Sequence, residues 1–279
     1  MKAIDLHTHS HCSDGTLSPS ELVELAAKKE LAAVALTDHD CISGISEAQQ
    51  AGKAAGIEVI PGVELSTEWK CCDIHVVGLY IDVANKKLNE FLEDFKASRD
   101  ARNEKMCSLI KDGEGFDISY EKLKAAYPDA IITRAHYARY LLDKGYTKSM
   151  NEAFDRYIGD YSQYYVPREK ITPEEGIELI HKAGGTAVLA HPVLYKFSSK
   201  NLEKLTSNLK EAGLDAIEAI YSTYAPSDER EVRALAKKYD LKLSGGSDFH
   251  GSNKPHIDLG TGCGHLFVPC DLLDELRPE

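Results

Sequence analysis

The sequence predicts an α/β protein that is built from repeated βα units and forms a parallel sheet or a barrel. Short apolar runs with strand-like composition alternate with amphipathic helical stretches, which is the pattern of such units. The length of 279 residues is the usual size of one α/β barrel, although it would also allow two ordinary domains. A hydrophobic content of 43% is sufficient for a large core.

Seven stretches have the length and composition of buried strands. They are 3–7, 32–37, 58–61 leading into 63–66, 74–81, 186–190, 216–220 and 242–246. No helix-length insertion separates the third strand from the fourth, so we expect these two to form a hairpin that turns near residues 70–73.

Two helix starts repeat one signature. The segments 18–21 and 172–175 each combine an N-cap hydroxyl, a proline at the first helical position and a glutamate at the third. The segment 98–167 between them departs from the alternation, because it is rich in helix formers, tyrosine and charge and lacks a convincing buried strand. We therefore predict a barrel at 1–97 and 168–279, with a helical insertion at 98–167 that recognises substrate.

The charge of the chain limits the partners that it can bind. A net charge of -12 should repel long nucleic acid duplexes and anionic membranes, so an anionic substrate needs a local positive site. Metal ions are one way to supply that site. No stretch approaches the roughly 20 apolar residues that span a bilayer, and no signal segment is recognisable, so we expect a cytoplasmic protein. The seven cysteines lack C-x-x-C spacing and are expected to be reduced thiols.

Histidines and carboxylates recur next to the apolar runs. His7 and His9 are two residues apart at the end of the first strand, so their imidazoles share one face and can converge on a metal ion. The other candidate metal ligands are Asp14, His39, Glu64, His75, His191, Asp248 and His250. Side chains at the carboxyl ends of barrel strands converge on one mouth, and the antiparallel hairpin would bring His75 there as well. Nine candidates exceed the ligands of one catalytic ion, which implies two or three ions.

Five motifs in the chain resemble those of the PHP (polymerase and histidinol phosphatase) family. They are His7-x-His9, Thr37-Asp38-His39, Pro61-Gly62-Val63-Glu64, Ala190-His191-Pro192 and Ser247-Asp248-x-His250. The resemblance covers most of the chain outside the insertion and implies a distorted seven-stranded (β/α)7 PHP barrel. The spacing and the place of the insertion resemble the stand-alone PHP phosphoesterases that act on nucleoside 3',5'-bisphosphates and short RNA 5' ends.

The resemblance also implies how the ligands are divided among three divalent metal ions. One ion would be held by His7, His9, Glu64 and Asp248, a second by Glu64, His75 and His191, and a third by Asp14, His39 and His250. Mixed histidine and carboxylate ligation suits manganese, iron or zinc, of which we expect manganese.

The expected reaction is attack on phosphorus by a metal-activated hydroxide, which needs no covalent protein nucleophile. The metal-bound water would be held by Glu64, His191, Asp248 and His250. Cys12, Cys41 and Ser10 are therefore not expected to act as nucleophiles. Asp38 is expected to orient a ligand histidine, and no separate general acid can be assigned.

Several residues of the insertion are candidates for substrate binding. They are Arg99, Arg102, Asn103, Arg134 and His136, with Arg168 at the end of the insertion and Asp14 from the barrel. Each could instead belong to the solvated face of a charged helix, but together the arginines offer guanidinium forks suited to a second phosphate. The resemblance implies such a role for arginines near these positions. Tyr161, Tyr164 and Tyr165 form an aromatic group, for which packing in the insertion is favoured over base stacking.

Three functions remain open at this point. The first is a phosphoesterase that releases the 3'-phosphate of a nucleoside 3',5'-bisphosphate or acts on short RNA 5' ends. The second keeps the site but acts on sugar phosphates, histidinol phosphate or cyclic phosphates. The third is a non-catalytic, metal-stabilised interaction module. The expected partner of the first two is a small phosphorylated molecule, and the sequence does not determine the oligomeric state.

Overall fold

A computed structural model describes residues 2–128, 130–159, 161–167 and 170–278 of the chain. The chain divides into two compact units. The first, here called the sheet unit, is Met1–Glu90 with Lys170–Glu279, and the second, the helical unit, is Phe91–Glu169. The helical unit thus begins a few residues before the insertion that was predicted at 98–167.

The described residues of the sheet unit form eight strands. They are β1 (Ala3–Ile4), β2 (Ala33–Leu36), β3 (Glu58–Trp69), β4 (Cys72–Leu79), β5 (Thr186–Leu189), β6 (Ala216–Tyr221), β7 (Lys242–Gly246) and β8 (Val268–Pro269). β2 to β7 form one curled sheet in chain order, in which β4 runs antiparallel to both of its neighbours and the other pairs are parallel. β1 pairs antiparallel with β8 in a separate two-stranded sheet. Six of the seven predicted strands therefore lie in the main sheet.

The first predicted strand is regular over two residues only. Beyond β1 the chain hydrogen-bonds to both edges of the six-stranded sheet: the Asp5 N–H donates to the Ala33 carbonyl at 3.1 Å and the Leu6 N–H to the Gly245 carbonyl at 3.2 Å. The Asp5 carboxylate also accepts backbone N–H groups from other segments, so the local bonding is irregular rather than a ladder. A seven-stranded (β/α)7 barrel is accordingly not confirmed, and the observed fold is mixed α/β with a curled six-stranded sheet.

The hairpin predicted between the third and fourth strands is confirmed. β3 and β4 pair in continuous register from Gly62 opposite Leu79 to Trp69 opposite Cys72. The two residues between them, 70 and 71, both have positive φ angles, 51° and 61°, as a tight two-residue hairpin turn requires. One consequence of the register is that Ser66 lies opposite His75, so the amino-terminal part of β4 lies beside the carboxyl-terminal part of β3.

Ten α-helices connect or flank these strands in the described part of the chain. They are α1 (Pro19–Lys28), α2 (Ile45–Ala55), α3 (Lys86–Glu114), α4 (Tyr120–Ala126), α5 (Arg134–Asp143), α6 (Met150–Ala153), α7 (Pro173–Lys182), α8 (Ser199–Glu211), α9 (Pro226–Lys238) and α10 (Leu272–Leu276). α1 and α7 begin with the two predicted capping boxes, in which Ser18 and Thr172 each exchange hydrogen bonds with the third helical residue. Each such cap stabilises its helix by about 1 kcal/mol. None of the helices in the described ranges is long and apolar enough to cross a membrane.

Each unit has its own apolar core. In the sheet unit, β2 to β6 contribute buried aliphatic residues, and α10 adds Leu272, Leu273 and Leu276. The core of the helical unit is rich in tyrosine, and Tyr164 belongs to it, as the packing interpretation predicts. Tyr161 is fully exposed, and Tyr165 lies beneath the Arg134 guanidinium at 5.6 Å from the ring centroid.

Candidate metal centre

Glu64 on β3 lies at the centre of the predicted ligands. Its side chain is completely buried, and five histidine rings approach its two carboxylate oxygens within hydrogen-bonding distance. The nitrogens near Oε2 are His7 Nε2 at 3.2 Å, His9 Nε2 at 3.2 Å and His39 Nδ1 at 3.1 Å, and those near Oε1 are His75 Nδ1 at 2.7 Å and His191 Nε2 at 3.0 Å.

Asp248 and Asp14 lie on either side of His250, the one predicted histidine ligand that does not contact Glu64. Asp248 Oδ1 is 3.4 Å from His250 Nδ1 and 3.3 Å from His9 Nε2, whereas Asp14 Oδ1 is 3.2 Å from His250 Nε2. Asp14 is also 3.9 Å from His39 Nε2. The structure therefore brings all nine predicted ligands into one continuous cluster within the sheet unit.

The cluster contains four groups whose ligand atoms lie within 4.8 Å of one another. They are His9, Asp14, His39 and His250; His7, His9 and Asp248; His7, Glu64 and His191; and His39, Glu64 and His75. The predicted set of Asp14, His39 and His250 falls within one group. The predicted set of Glu64, His75 and His191 is divided between two groups that share Glu64.

Unpaired buried atoms indicate what the cluster is built to hold. Among the described residues, His7 Nε2, His9 Nε2, His39 Nδ1 and Glu64 Oε2 have no hydrogen-bond partner of acceptable geometry, although they lie close together. Leaving such groups buried without partners costs several kcal/mol. Nitrogen and carboxylate oxygen donors that converge without hydrogen-bonding one another are the arrangement that a divalent metal ion satisfies. The residues present therefore fit divalent cations.

The charges of the cluster agree with cation binding. Burial opposes the ionisation of Glu64, but its charge and hydrogen-bond interactions with the surrounding histidines outweigh this effect and hold the pKa of this carboxyl well below its usual range. The pKa values of Asp14 and Asp248 are likewise depressed against the effect of burial by nearby cationic groups. All three carboxylates are thus ionised at neutral pH. Burial lowers the pKa of His39 to about 3, which leaves its imidazole neutral and able to bind a metal.

The backbone around two ligands is strained. His191 and Asp248 have positive φ angles of 27° and 57°, a region that residues with a side chain seldom adopt. The chain at His7 also passes close to Gly246. Glycine is required there, because a Cβ at residue 246 would lie 2.4 Å from the Cβ of His7. The end of β7 is therefore shaped to place His7 and Asp248 together.

Glu218, which the sequence patterns did not indicate, supports two of the ligands. It lies on β6 and is buried, with Oε1 3.0 Å from His7 Nδ1, while Oε2 accepts the backbone N–H of His191 at 2.7 Å. A carboxylate on the second ring nitrogen fixes the tautomer of a ligand histidine and increases its basicity. The sequence signal was a single acidic residue within the otherwise apolar strand Ala216–Tyr221.

We expect Glu218→Gln to weaken metal binding by about 10- to 100-fold, because the charged partner of His7 is lost while the shape of the side chain is kept. Isothermal titration of the metal-free protein with manganese measures this. Glu211→Gln, on the exposed surface of α8, is the matched control and should bind manganese as the wild type does. Equal affinities in the two variants would show that Glu218 does not position His7.

Lys254 and Tyr221, which the sequence patterns also did not indicate, hold Asp248. Lys254 Nζ and the Tyr221 hydroxyl each lie 2.6 Å from Asp248 Oδ2, opposite the oxygen that faces the histidines. Burial opposes charging of Lys254, but Asp248 outweighs it and raises the pKa of this amine, so it stays cationic. The side chain of Lys254 is 35% exposed, which leaves a positive charge at the edge of the cluster.

The residues near Asp38 are arranged for support rather than for nucleophilic attack. Asp38 accepts hydrogen bonds from the hydroxyls of Ser10 and Ser13, each at 2.6 Å, and Ser13 in turn lies 3.4 Å from His9 Nδ1. Asp38 is thus linked to the candidate ligand His9 through Ser13. Burial raises the pKa of the Cys41 thiol to about 11, which disfavours the reactive thiolate.

The substrate-binding candidates of the insertion are mostly buried in the helical unit. Arg99, Arg102 and Asn103 lie on α3 and His136 on α5, all with little exposure, so the alternative of a solvated helix face does not hold for these four. Arg134 begins α5 and is partly exposed. The His136 ring accepts the Thr133 N–H at the start of this helix. Arg168 lies outside the described residues.

Arg102 lies among other cations. Its side chain is 8% exposed, and its Nε atom has no hydrogen-bond partner among the described residues. Burial, together with the nearby charges of Arg99 and Arg134, lowers the pKa of Arg102 to about 10. A buried guanidinium that is destabilised in this way is suited to an external anion.

Comparison with known proteins assigns the chain to a family. Residues 5–187 match the PHP domain. The 5'-3' exoribonuclease of Haemophilus influenzae is 41% identical over 249 residues, which are 89% of this chain and 90% of the relative. The 3',5'-nucleoside bisphosphate phosphatase of Chromobacterium violaceum is 34% identical over 260 residues, which are 93% of this chain and 91% of the relative.

A solved structure has the same fold. A protein of Bifidobacterium adolescentis, assigned as a metal-dependent phosphoesterase, superposes with a TM-score of 0.86 and 28% identity over 99% of this chain and 95% of its own. The chain is therefore an enzyme of the metal-dependent hydrolase class, and the motifs that resemble PHP proteins lie in a structure of PHP type. By sequence and by structure, this protein belongs to the PHP domain family.

Proposed function

We propose that this protein hydrolyses phosphate esters of small nucleotides. Its substrates would be nucleoside 3',5'-bisphosphates, from which it releases the 3'-phosphate, and the 5' ends of short RNA. The observation that carries this choice is the arginine group around Arg102 in the helical unit, which would bind a second anion in addition to the one at the metal centre. A bisphosphate offers two phosphates, whereas a simple sugar phosphate offers one.

Two relatives support the same choice. The exoribonuclease of Haemophilus influenzae and the bisphosphate phosphatase of Chromobacterium violaceum each align with about nine-tenths of this chain. Both are named for phosphoesters of nucleotides, although one substrate is a polymer and the other a single nucleoside. One site that accepts a nucleotide with a further phosphate would serve both reactions.

We assign the nine clustered residues to three divalent ions, with manganese expected and iron or zinc as alternatives. The ions would supply an acidified water nucleophile and neutralise the charge that develops on the phosphoryl oxygens. Glu64, His191, Asp248 and His250 would position that water. Glu218 holds His7 in one orientation, and Tyr221 and Lys254 hold Asp248.

Other residues of the chain would bind the substrate. Asp14 lies at the edge of the cluster, where it would contact the substrate as well as a metal ion. The forked guanidinium groups of Arg99, Arg102 and Arg134 would bind the phosphate that is not hydrolysed, with Asn103 and His136 beside them in the sequence.

A phosphate-release panel tests the proposed function. With manganese added, we expect kcat/KM to be at least about 10-fold higher for nucleoside 3',5'-bisphosphates than for sugar phosphates, histidinol phosphate or cyclic nucleotides, since one charge-assisted contact is worth about that much. The same protein treated with a chelator is the control. A preference for a sugar or cyclic phosphate would move the assignment to the second function. Bound metal without hydrolysis of any member would favour the interaction module.

A further inference from the structure

The hairpin of β3 and β4 extends beyond the metal centre and ends in the only tryptophan of the chain. β3 continues from Glu64 to Trp69, which corresponds to roughly 16 Å of strand. β4 returns from Cys72 and carries His75. Both strands of this hairpin therefore supply candidate metal ligands at one end and frame Trp69 at the other.

A series of rings leads from the metal centre to Trp69 within the sheet unit. The ring centroids of His191 and Tyr195 are 5.8 Å apart, those of Tyr195 and Phe197 are 5.8 Å apart, and those of Phe197 and Trp69 are 5.6 Å apart. The Tyr195 hydroxyl is anchored, because it donates to the Ala190 carbonyl at 2.6 Å. The series is thus fixed at the metal centre.

The outer end of the series is accessible and carries two exposed lysines as well as the exposed carboxylate of Glu68. Trp69 and Phe197 are partly exposed, and Leu194, three residues before Phe197 in the chain, is 44% exposed. Lys70 places its ammonium 4.2 Å from the centroid of the Trp69 ring, and Lys196 is exposed between Tyr195 and Phe197. The carboxylate of Asp73 at this hairpin is paired with Lys170. Two exposed lysines thus lie at this end of the hairpin, although the net charge of the chain is -12.

Partly exposed aromatic rings next to cations form the usual binding surface for single-stranded nucleic acid. Bases stack on the rings whatever their identity, and the cations bind the phosphates between them. Double-stranded nucleic acid would not offer free base faces. The chemistry of this surface therefore favours an unpaired nucleotide chain over a duplex or a lipid headgroup.

We propose that Trp69 and Phe197, with Lys70 and Lys196, form a stacking site for a base of single-stranded RNA whose 5' end lies at the metal centre. The proposal rests on the proposed function and deepens it, because it supplies a binding surface for substrates longer than one nucleotide. A nucleoside bisphosphate has a single base and would depend less on this surface.

Intrinsic fluorescence tests the site without catalysis, since Trp69 is the only tryptophan of the full chain. Without added metal, titration with 5'-phosphorylated tetraadenylate should quench this fluorescence saturably, whereas inorganic phosphate should leave it unchanged. Absence of quenching by the oligonucleotide would overturn the proposal. If the oligonucleotide quenches the fluorescence but the protein hydrolyses no nucleotide, the stacking site is supported. Only the proposed function is then contradicted.

Steady-state kinetics provide a second test of the stacking site. With manganese added, Trp69→Ala should raise KM for the tetraadenylate by roughly 5- to 150-fold, the equivalent of one stacked base, with a smaller increase for a nucleoside 3',5'-bisphosphate. Trp69→Phe should restore most of the affinity. Phe267→Ala removes a 49% exposed ring elsewhere in the sheet unit and is the matched control. Equal increases of KM for both substrates in Trp69→Ala would contradict a role in binding longer RNA.

Discussion

Replacing Glu64 with glutamine is expected to lower kcat/KM for phosphoester hydrolysis by at least about 100-fold, the upper end of losses seen for residues one step further from a metal. Five histidine nitrogens lie within 3.2 Å of the Glu64 carboxylate, and its pKa is held well below the usual range, so the native group is a buried anion. Glutamine keeps the volume but removes the charge, and an amide is a poor ligand for several cations at once.

Metal content and phosphate release should fall together in Glu64→Gln, as measured by elemental analysis and steady-state kinetics on the same preparations. Glu68→Gln is the matched control, because Glu68 lies on the same strand but is exposed to solvent. Full metal content with full activity in Glu64→Gln would exclude Glu64 as a shared ligand. Lost activity with full metal content would confine its role to positioning the nucleophile.

Replacing Arg102 with methionine should have opposite effects on activity and stability. We expect kcat/KM for nucleoside 3',5'-bisphosphates to fall about 10- to 100-fold, since a charge-assisted hydrogen bond to a phosphate is worth about 1.5–3 kcal/mol. The Tm should stay the same or rise. Arg102 is buried near Arg99 and Arg134, and replacing such a charge with an apolar side chain of similar length removes a desolvation cost.

Arg139→Met is the matched control for this prediction, because Arg139 lies on α5 of the same unit but is exposed and paired with Asp143. It should leave both the activity on bisphosphates and the Tm nearly unchanged. A fall in Tm for Arg102→Met without a change in activity would mean that this guanidinium serves the packing of the helical unit and does not bind substrate.

Local patterns were sufficient for most of the elements. The capping boxes at Ser18 and Thr172, the hairpin turn after Trp69 and six buried strands follow from residue types a few positions apart. The first strand differs because the bonding of Asp5 involves backbone groups of Ser247 and Gly260, more than two hundred residues away. Such long-range bonds do not affect the hydrophobic periodicity of a short segment. A strand was therefore predicted over residues 3–7, whereas the observed strand has only two residues.

The supporting residues of the centre were missed for a similar reason. Glu218 acts on His7, and Lys254 acts on Asp248 from the loop after the last ligand. An isolated glutamate or lysine has no distinctive spacing, and its role depends on which side chain the fold brings opposite to it. The burial of Arg102 could not be predicted from the sequence either, because its helix is highly charged and resembles a solvent-exposed helix.

The amino-acid sequence alone established the chemistry of this protein: histidines and carboxylates next to strands, suited to divalent metals, in motifs that resemble PHP phosphoesterases. The three-dimensional arrangement established how they meet, with five histidine rings around the carboxylate of Glu64. The physical reason is that strand alternation and capping are local, whereas the distance between two side chains at neighbouring strand ends depends on the curl and register of the whole sheet.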